Sequence, residues 1–348
     1  WNYIEQITNT NPLPGTTITR PSLEPARQGL GLAEVNGRIY AFGGKTNDGT
    51  YLNTVTEYDY IANKWIEYVP SEGSYPNPNK YMKTGKSDFA IAATDNDVYI
   101  FGGFDGENHL STVERYNPSI EEGSFIDRDT IPNMPTARSG AKAALIGKEI
   151  YVIGGYNESG YIDTIDVYHT DNKTWRTING NTDILRTDFG MAAYGKSIYI
   201  FGGYNDTGYL NSVVEYNTVT KSFSPKASLP IRTKGLQACT VSGKIYLFCG
   251  TTNDGTNTKV VNTVDEYDPI NNTYLSVEAD KNDKDNIVRM RSLQYARTSF
   301  GAVAAFGRVF IAGGYDGNKS ISAAGDYVID QVKGTEFGAE YNGIEGRG

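Results

Sequence analysis

A cation recurs at a nearly fixed distance before each of six short apolar runs in this 348-residue chain. It precedes the first residue of the run by twelve positions in five copies and by thirteen in the remaining copy. The six cations are Arg27, Lys86, Arg138, Arg186, Arg232 and Arg297. Guanidinium groups form paired hydrogen bonds to carboxylates, so such a set predicts a binding site for an anionic ligand.

An aromatic side chain directly follows the glycine pair that ends four of the six runs. These aromatics are Phe104, Tyr156, Tyr204 and Tyr315, and Lys45 and Thr251 take the same place in the other two copies. Aromatic rings supply flat apolar area for sugar faces or peptide side chains. Together with the cations they predict a site for a protein segment or an acidic glycan.

The repeated cation also fits a scaffold role. It can neutralise nearby carboxylates such as Asp88 and Asp188, or donate hydrogen bonds to loop carbonyls between repeats. A ligand site needs only some of the copies, so a cation in all six favours the scaffold role. Ligand binding by a subset stays open as the alternative.

The apolar runs recur about every 50 residues, a period typical of stacked repeats. They end at a glycine pair or a close variant and occupy residues 39–44, 98–103, 150–155, 198–203, 245–250 and 309–314. Four residues rich in Ile, Val, Tyr and Phe suit a strand buried on both faces. A following glycine permits positive φ or a close backbone approach.

Each repeat continues with a tyrosine and then a large aromatic, usually seven residues later. The tyrosines are Tyr58, Tyr116, Tyr168, Tyr216, Tyr267 and Tyr327, and the later aromatics are Trp65, Phe125, Trp175, Phe223, Tyr274 and Phe337. A carboxylate stands one or two positions before each tyrosine, and we assign it a scaffold role. Glycine pair, tyrosine and tryptophan in this order resemble the kelch repeat over residues 25 to 340. The resemblance implies an all-β, six-bladed propeller with four-stranded antiparallel blades.

We predict one propeller over residues 1–343, with repeats at roughly 25–70, 84–128, 136–180, 184–228, 230–278 and 295–340. Residues 1–7 resemble the outer strand of a blade, so we expect this N-terminal strand to complete the last blade and close the ring. In the alternative, a strand around Phe337 does so and residues 1–20 form a surface strap. Residues 344–348 resemble a protease-cleavage linker added for expression. The absence of an initiator Met and a signal peptide suggests a mature or excised piece.

The propeller topology places the cations and the aromatics on one face. The cation opens the inner strand of its blade, and the loop after the glycine pair emerges at the same end because the first two strands are antiparallel. We therefore expect the cations to surround the mouth of the central channel. In kelch propellers that act as recognition modules, such positions contact acidic peptides, and the resemblance falls here on Arg138, Arg186, Tyr156 and Tyr204.

Composition limits the classes of partner and the location that we expect for this chain. A net charge of −9 and an isoelectric point near 4.9 argue against a nucleic-acid binder. No apolar stretch approaches 18 residues, so no membrane span is expected. Cys239 and Cys249 are predicted to be buried free thiols rather than a disulfide. The Asn- and Tyr-rich, Met-poor composition favours a bacterial extracellular or cell-surface location over a cytoplasmic one, with a monomeric propeller in a larger protein.

Binding is favoured over catalysis. Copper radical oxidases share the kelch architecture, but His109 and His169 come from different parts of a blade and do not form a metal site. We expect no metal and no cofactor. Asp105, Asp206 and Asp316 lie in loops of the ligand face and can transfer protons, although Asp is also a common turn residue. A mutarotase of the sialic acid type is therefore the alternative function, and a structural spacer is a further one.

Two loops interrupt the regular spacing. One is rich in proline and tyrosine and covers residues 69–85, and the other carries mixed charges and covers residues 278–292. Loops on a rigid scaffold often carry function, so both are candidate recognition elements. For the mixed-charge loop, a solvated excursion without a binding role is the favoured interpretation.

Overall fold

The computed structural model describes residues 14–68, 77–121, 123–127, 130–276 and 291–329. Within these ranges the chain is all-β, and the helical pieces are two short 3-10 turns at Pro78–Lys80 and Thr182–Ile184. In the same ranges no helix is long and apolar enough to cross a membrane. Residues 1–7, Phe337, residues 344–348, and residues 69–76 and 278–290 of the two irregular loops lie outside the described part of the chain.

Six antiparallel sheets follow one another as blades, which confirms the predicted six-bladed propeller. We number the blades 1 to 6 in chain order and count the strands of each blade from the centre outward. Blades 1 to 3 consist of Gly31–Val35, Arg38–Phe42, Val55–Asp59 and Lys64–Glu67; Ala90–Ala93, Val98–Phe101, Val113–Asn117 and Ser124–Ile126; and Lys142–Ile146, Glu149–Ile153, Ile165–His169 and Thr174–Ile178. Blades 4 to 6 consist of Gly190–Tyr194, Ser197–Phe201, Val213–Asn217 and Ser222–Lys226; Gln237–Val241, Lys244–Asn253, Thr258–Asp268 and Thr273–Ser276; and Gly301–Ala305, Arg308–Ala312, Ala324–Val328 and Thr17–Arg20.

Short ribbons extend some blades beyond the glycine pairs. In blade 1, Arg27–Gln28 pairs with Lys45–Thr46, and in blade 5, Arg232–Lys234 pairs with the far end of the long second strand. The loops of blades 3 and 4 each fold into a small hairpin, with Tyr156–Asn157 against Gly160–Tyr161 and Tyr204–Asn205 against Gly208–Tyr209.

The N-terminal part of the chain closes the ring, as predicted. The first strands of successive blades contact one another in order, and the first strand of blade 6 contacts that of blade 1. The outer strand of blade 6 is Thr17–Arg20, paired antiparallel with Ala324–Val328. This strand was predicted at residues 1–7, whereas the structure places it at Thr17–Arg20.

A buried ion pair fixes the closing strand. Arg20 donates from Nη2 to Asp326 Oδ2 at 2.5 Å and from Nε to the same oxygen at 2.9 Å, and the Asp326 side chain is fully buried. Trp65 of blade 1 adds an indole N–H bond of 2.9 Å to the carbonyl of Pro21. Specific polar contacts, as well as strand pairing, therefore hold the Thr17–Arg20 strand to blade 6 and to blade 1.

The hydrophobic core is divided among the blade interfaces. All four side chains of Val98–Phe101 are buried, as expected for a strand covered on both faces. Tyr116 packs edge-on against Tyr40 and Phe42 of the neighbouring blade, with ring centroids 5.6 and 5.4 Å apart. Cys239 and Cys249 are buried free thiols, as predicted, and burial raises the pKa of each to about 12.

Candidate functional site

Five of the six predicted cations point into the protein instead of toward a ligand. The side chains of Arg27, Lys86 and Arg138 are fully buried, and those of Arg186 and Arg297 are nearly so. Their burial corrects the expectation of a cationic ring at the channel mouth. A buried guanidinium offers no surface to a partner.

The arginines bind the carbonyl of the first glycine in each pair. Arg138 donates from Nη1 to the carbonyl of Gly154 at 3.0 Å, sixteen residues further on. Arg186 makes the same bond to Gly202 at 2.7 Å, and Arg297 makes it to Gly313 at 3.0 Å. The chain leaves the sheet at these glycines, so their carbonyls need a donor that strand pairing does not supply. Repetition of the arginine therefore reflects a scaffold role.

Carboxylates neutralise the buried cation in two blades. Glu114 lies 2.6 Å from Lys86 Nζ, and Asp166 lies 2.6 Å from Arg138 Nη2. These are two of the acids that precede the strand tyrosines. Burial lowers the pKa of Arg27 and Arg186 to about 10, which still leaves both charged near neutral pH.

Blade 5 has a threonine at the position of the buried cation. The Thr233 carbonyl accepts the Gly203 N–H at 2.8 Å, as the Arg186 carbonyl accepts the Gly155 N–H at 2.9 Å in the preceding pair of blades. Arg232, one position earlier, is exposed. Its spacing of thirteen residues instead of twelve was the signal in the sequence that this arginine is not equivalent to the others.

A closed ring of six backbone hydrogen bonds surrounds the central channel. One residue from each blade donates its N–H to the carbonyl of the next member, at 2.6 to 3.4 Å, and all six have φ between 52° and 67°. The members are Gly29, Ser299, Gly235, Asp188, Gly140 and Asp88. Glycines alternate with residues that carry a side chain, because a Cβ at Gly140 or Gly235 would lie 1.9 Å from a threonine hydroxyl of the neighbouring blade.

The channel mouth beside this ring is narrow and polar. It holds a cavity of about 40 Å³ whose lining includes Asp88, Lys142, Asp188 and Gln237. Lys142 Nζ donates to Gln237 Oε1 at 3.1 Å. Burial lowers the pKa of Lys142, and the negative charges of Asp188 and Asp88 offset part of this effect. Burial, and then the charge of Asp88, raise the pKa of Asp188. Small-molecule pockets measure about 300–1,000 Å³, so this cavity has room for water but not for a sugar.

Aromatic rings form a band across the loops of blades 1 to 4. The first part is a chain of contacts with ring centroids 6.0 Å apart for Tyr51 and Phe104, 5.1 Å for Phe104 and His109, and 5.5 Å for His109 and Tyr156. Tyr161 continues this chain by its contact with Tyr156, and the corresponding loop of blade 4 carries a separate pair, Tyr204 and Tyr209; the centroids in each pair lie 5.4 Å apart. We call these rings the aromatic belt: Tyr51, Phe104, His109, Tyr156, Tyr161, Tyr204 and Tyr209.

The belt contains three of the four predicted aromatics. Tyr315 lies apart in blade 6, where its backbone bridges to Thr298, and it makes no ring contact with the belt within the described residues. The sequence analysis missed the second ring of each loop. That signal was present, because His109, Tyr161 and Tyr209 each follow the first ring by five residues.

Hydrogen bonds within the loops hold the belt in place. The side-chain N–H of Asn157 donates to the Ala137 carbonyl at 2.9 Å, and that of Asn205 donates to the Leu185 carbonyl at 3.0 Å. Each asparagine immediately follows a belt tyrosine and ties its loop to the segment that leads into the blade. The rings are therefore presented on anchored loops.

Two of the loop aspartates considered for proton transfer serve as turn residues. Asp105 accepts backbone N–H bonds from Asn108 at 2.7 Å and Glu107 at 2.9 Å, and these bonds lower its pKa. Asp316 accepts equivalent bonds from Lys319 and Asn318, with the same effect on its pKa. In the part of the chain that the structure describes, no group of three or more His, Cys, Asp or Glu side chains is placed to hold a metal ion.

Comparison with known families agrees with the blade architecture. Residues 88–314 match the family model described as the KLHDC2/KLHL20/DRC7 Kelch-repeats domain, and residues 26–70 match the Kelch motif. The chain belongs to the kelch-repeat family. The first of these matches covers more than half of this kelch chain, in agreement with the resemblance seen in the sequence.

Curated relatives of this kelch chain come from eukaryotes. It is 25% identical over 194 residues to Kelch-like protein terF of Aspergillus terreus, covering 49% of this chain and 39% of the relative. An F-box/kelch-repeat protein of Arabidopsis thaliana is 26% identical over 178 residues, covering 49% of this chain and 40% of the relative. Kelch-like protein 40 of Xenopus tropicalis is 32% identical over 158 residues, covering 44% of this chain and 23% of the relative. The alignments span less than half of each relative, and they give no support to the expected bacterial source.

Proposed function

We propose that this kelch chain is a non-catalytic, protein-binding propeller that holds a segment of a partner protein across the aromatic belt. The observation that carries the proposal is the belt itself, a band of rings on anchored loops on the face where the loops follow the glycine pairs. Tyr156 at its centre is 40% exposed. Tyrosine is enriched among the residues that dominate binding energy at protein interfaces.

The belt is suited to an extended ligand rather than a small molecule. Its rings cross several blades, whereas the cavity at the channel mouth has a volume of about 40 Å³. Each belt ring packs against at least one other ring, so little side-chain freedom is lost when a partner binds. A rigid, preorganised surface binds at lower entropic cost than a flexible one.

The mutarotase, the acidic-glycan ligand and the structural spacer have less support. A sugar-acid mutarotase needs an acid and a base beside the sugar ring, and Asp105 and Asp316 are engaged as turn residues. An acidic glycan was expected because of the arginines, and five of the six predicted cations are buried. A spacer domain has no need of a partly exposed band of aromatic rings.

A peptide selection tests the proposal. Random peptides displayed on phage are selected on the wild-type protein, and the affinities of the recovered peptides are then measured by fluorescence anisotropy. We expect a Tyr156→Ala/Tyr161→Ala variant to bind them at least tenfold more weakly, as loss of a binding hot spot costs about 2 kcal/mol. Its thermal unfolding should be nearly unchanged, because half-buried loop rings contribute little to the core.

Tyr295→Ala is the matched control. This tyrosine is 45% exposed and lies outside the belt. Its replacement removes a ring of similar exposure and should leave peptide affinity within twofold of the wild type. The proposal fails if the belt variant and the control bind the selected peptides equally well.

A further inference from the structure

The protein's own lysines already occupy part of the aromatic belt. Lys234 Nζ lies 4.7 Å from the ring centroid of Tyr204 and 5.3 Å from that of Tyr209. Lys45 Nζ lies 5.0 Å from the ring centroid of Tyr51. A cation over an aromatic face is attracted by the electrons of the ring. The belt rings are thus placed to bind cations, and the chain supplies two of its own.

The tyrosine pair of blade 3 has the same architecture without a lysine. Tyr156 and Tyr161 face each other across a two-residue ribbon with centroids 5.4 Å apart, as Tyr204 and Tyr209 do in blade 4. Lys234 belongs to the segment that leads into the next blade and directly follows Thr233. The residue at the same place in the preceding blade is Thr187, which directly follows Arg186.

Contacts elsewhere in the belt support this equivalence. Ser139 directly follows Arg138, and its Oγ lies 2.9 Å from Nδ1 of His109, the second ring of the preceding loop. This position therefore reaches the rings of the neighbouring blade. At Thr187 the side chain is short, and its hydroxyl donates to the Gly140 carbonyl at 3.4 Å. No cation lies over Tyr156 or Tyr161 among the residues that the structure describes.

One exposed carboxylate adjoins this open pair. Glu158 lies in the turn between the two tyrosines, and its Oε1 accepts the His109 N–H at 3.4 Å. Hydrogen bonds from its own N–H and from His109 lower the pKa of Glu158, so it is ionised at neutral pH.

We infer that Tyr156, Tyr161 and Glu158 form a receptor for one cationic side chain, arginine or lysine, of the partner segment. The inference rests on the proposed function and specifies the chemistry of the partner. It replaces the acidic ligand expected from the sequence, because the arginines that suggested that ligand are buried. The cation of the partner would occupy the place over the blade 3 pair that Lys234 occupies over the blade 4 pair.

The chain offers its own competitor as a test. Thr187→Lys places a lysine beside the tyrosine pair of blade 3, as Lys234 lies beside the pair of blade 4. The new lysine should occupy the receptor and exclude a cation of the partner. Thr187→Gln is the matched control, since its side chain is long and polar but uncharged. Both variants lose the same threonine hydroxyl, so the added charge is the main difference between them.

Peptide libraries on phage are selected separately on the wild-type protein, on Thr187→Lys and on Thr187→Gln. We expect arginine or lysine to be enriched at one register position by the wild type and by Thr187→Gln, and not by Thr187→Lys. A wild-type-selected peptide should bind Thr187→Lys at least tenfold more weakly than Thr187→Gln. Replacing its enriched cation by glutamine should cost a similar factor on the wild-type protein and little on Thr187→Lys.

The outcomes separate this inference from the proposed function. If the selected peptides depend on Tyr156 but show no preference for a cation, or bind both Thr187 variants equally, the receptor assignment is overturned and the protein-binding function stands. If no selected peptide depends on Tyr156, both are overturned. If Thr187→Lys fails to fold, the Glu158→Gln variant replaces it, with the same expected loss of cation preference.

Discussion

The buried cations and the aromatic belt come from adjoining segments on the same face of the propeller, yet they have opposite environments. Arg138 is fully buried, whereas Tyr156, whose backbone bridges to the residue directly after Arg138, is 40% exposed. The guanidinium satisfies carbonyls where the chain leaves the sheet, a need that every blade shares. The rings meet no such need, and they vary from blade to blade. Repetition in nearly every copy marks the scaffold here, and variation among the copies marks the candidate binding surface.

Removing a buried cation should give the largest effect. Arg138→Met leaves the fully buried Asp166 without its 2.6 Å partner. Loss of one member of a buried ion pair typically costs about 3–5 kcal/mol, so the free energy of unfolding in urea should fall by that amount. Arg232→Met removes an exposed arginine and should change it by less than about 0.5 kcal/mol. Equal, small effects would mean that the buried arginines are not scaffold groups.

Breaking the ion pair that closes the ring should give the second-largest loss of stability. Arg20→Ala removes the main partner of Asp326, but Arg308 Nη1 remains 3.4 Å from the same oxygen. We expect a loss of about 3 kcal/mol, at the lower end for buried pairs, measured by urea unfolding. Arg38→Ala, which breaks an exposed pair with Glu57, should cost less than about 1 kcal/mol. A small effect at Arg20 would show that strand pairing alone closes the propeller.

Two glycines with the same backbone conformation sharpen the contrast between the channel ring and an open turn. Gly140 has φ of 65° and Gly147 has φ of 62°, but only at Gly140 would a Cβ meet another atom, Thr187 Oγ1 at 1.9 Å. Gly147→Ala should cost about 1 kcal/mol from backbone strain alone. Gly140→Ala should cost more, and the additional Thr187→Ala substitution should recover the difference in thermal unfolding. Equal costs would mean that the ring tolerates a side chain at every position.

The smallest expected effect is a gain in stability at the channel mouth. The pKa of Asp188 is raised above its ordinary value of 3.8, so the folded state favours the protonated form. Ionised Asp188 therefore costs stability at neutral pH, and this cost disappears as the pH falls below 3.8. Asp188→Asn keeps a residue that tolerates positive φ. Its unfolding temperature should exceed that of the wild type at pH 7, with the difference shrinking on acidification. A lower temperature at pH 7 would contradict this reasoning.

Spacing in the sequence was a good guide to backbone position and a poor guide to side-chain direction. The twelve-residue interval located five equivalent cations correctly, and the thirteen-residue interval at Arg232 was a real irregularity. Nothing in the interval distinguishes a side chain that turns toward the glycine carbonyl from one that turns toward solvent. The same limit applies to the carboxylates before the strand tyrosines, because one or two positions before the tyrosine place them on opposite faces of the strand.

Among the belt residues, the sequence pointed to the rings directly after the glycine pairs. The contact between Phe104 and His109, and the pairing of Tyr156 with Tyr161, depend on how each loop folds back on itself. Lys234 is separated from Tyr204 and Tyr209 by more than twenty residues, and no local pattern links them. Its position over their rings became visible only once adjacent blades were in place.

The amino-acid sequence by itself determined the six-bladed kelch architecture, because each apolar run must bury both faces and can do so only between neighbouring repeats. It also favoured completion of the last blade by the N-terminal region over completion by a strand around Phe337. Only the tertiary structure decided which strand does so, since the pairing of Arg20 with Asp326 joins residues 306 positions apart. It alone decided that five of the repeated cations are buried and that the tyrosines of the belt stay partly exposed, because burial depends on which groups the adjoining blades bring within reach.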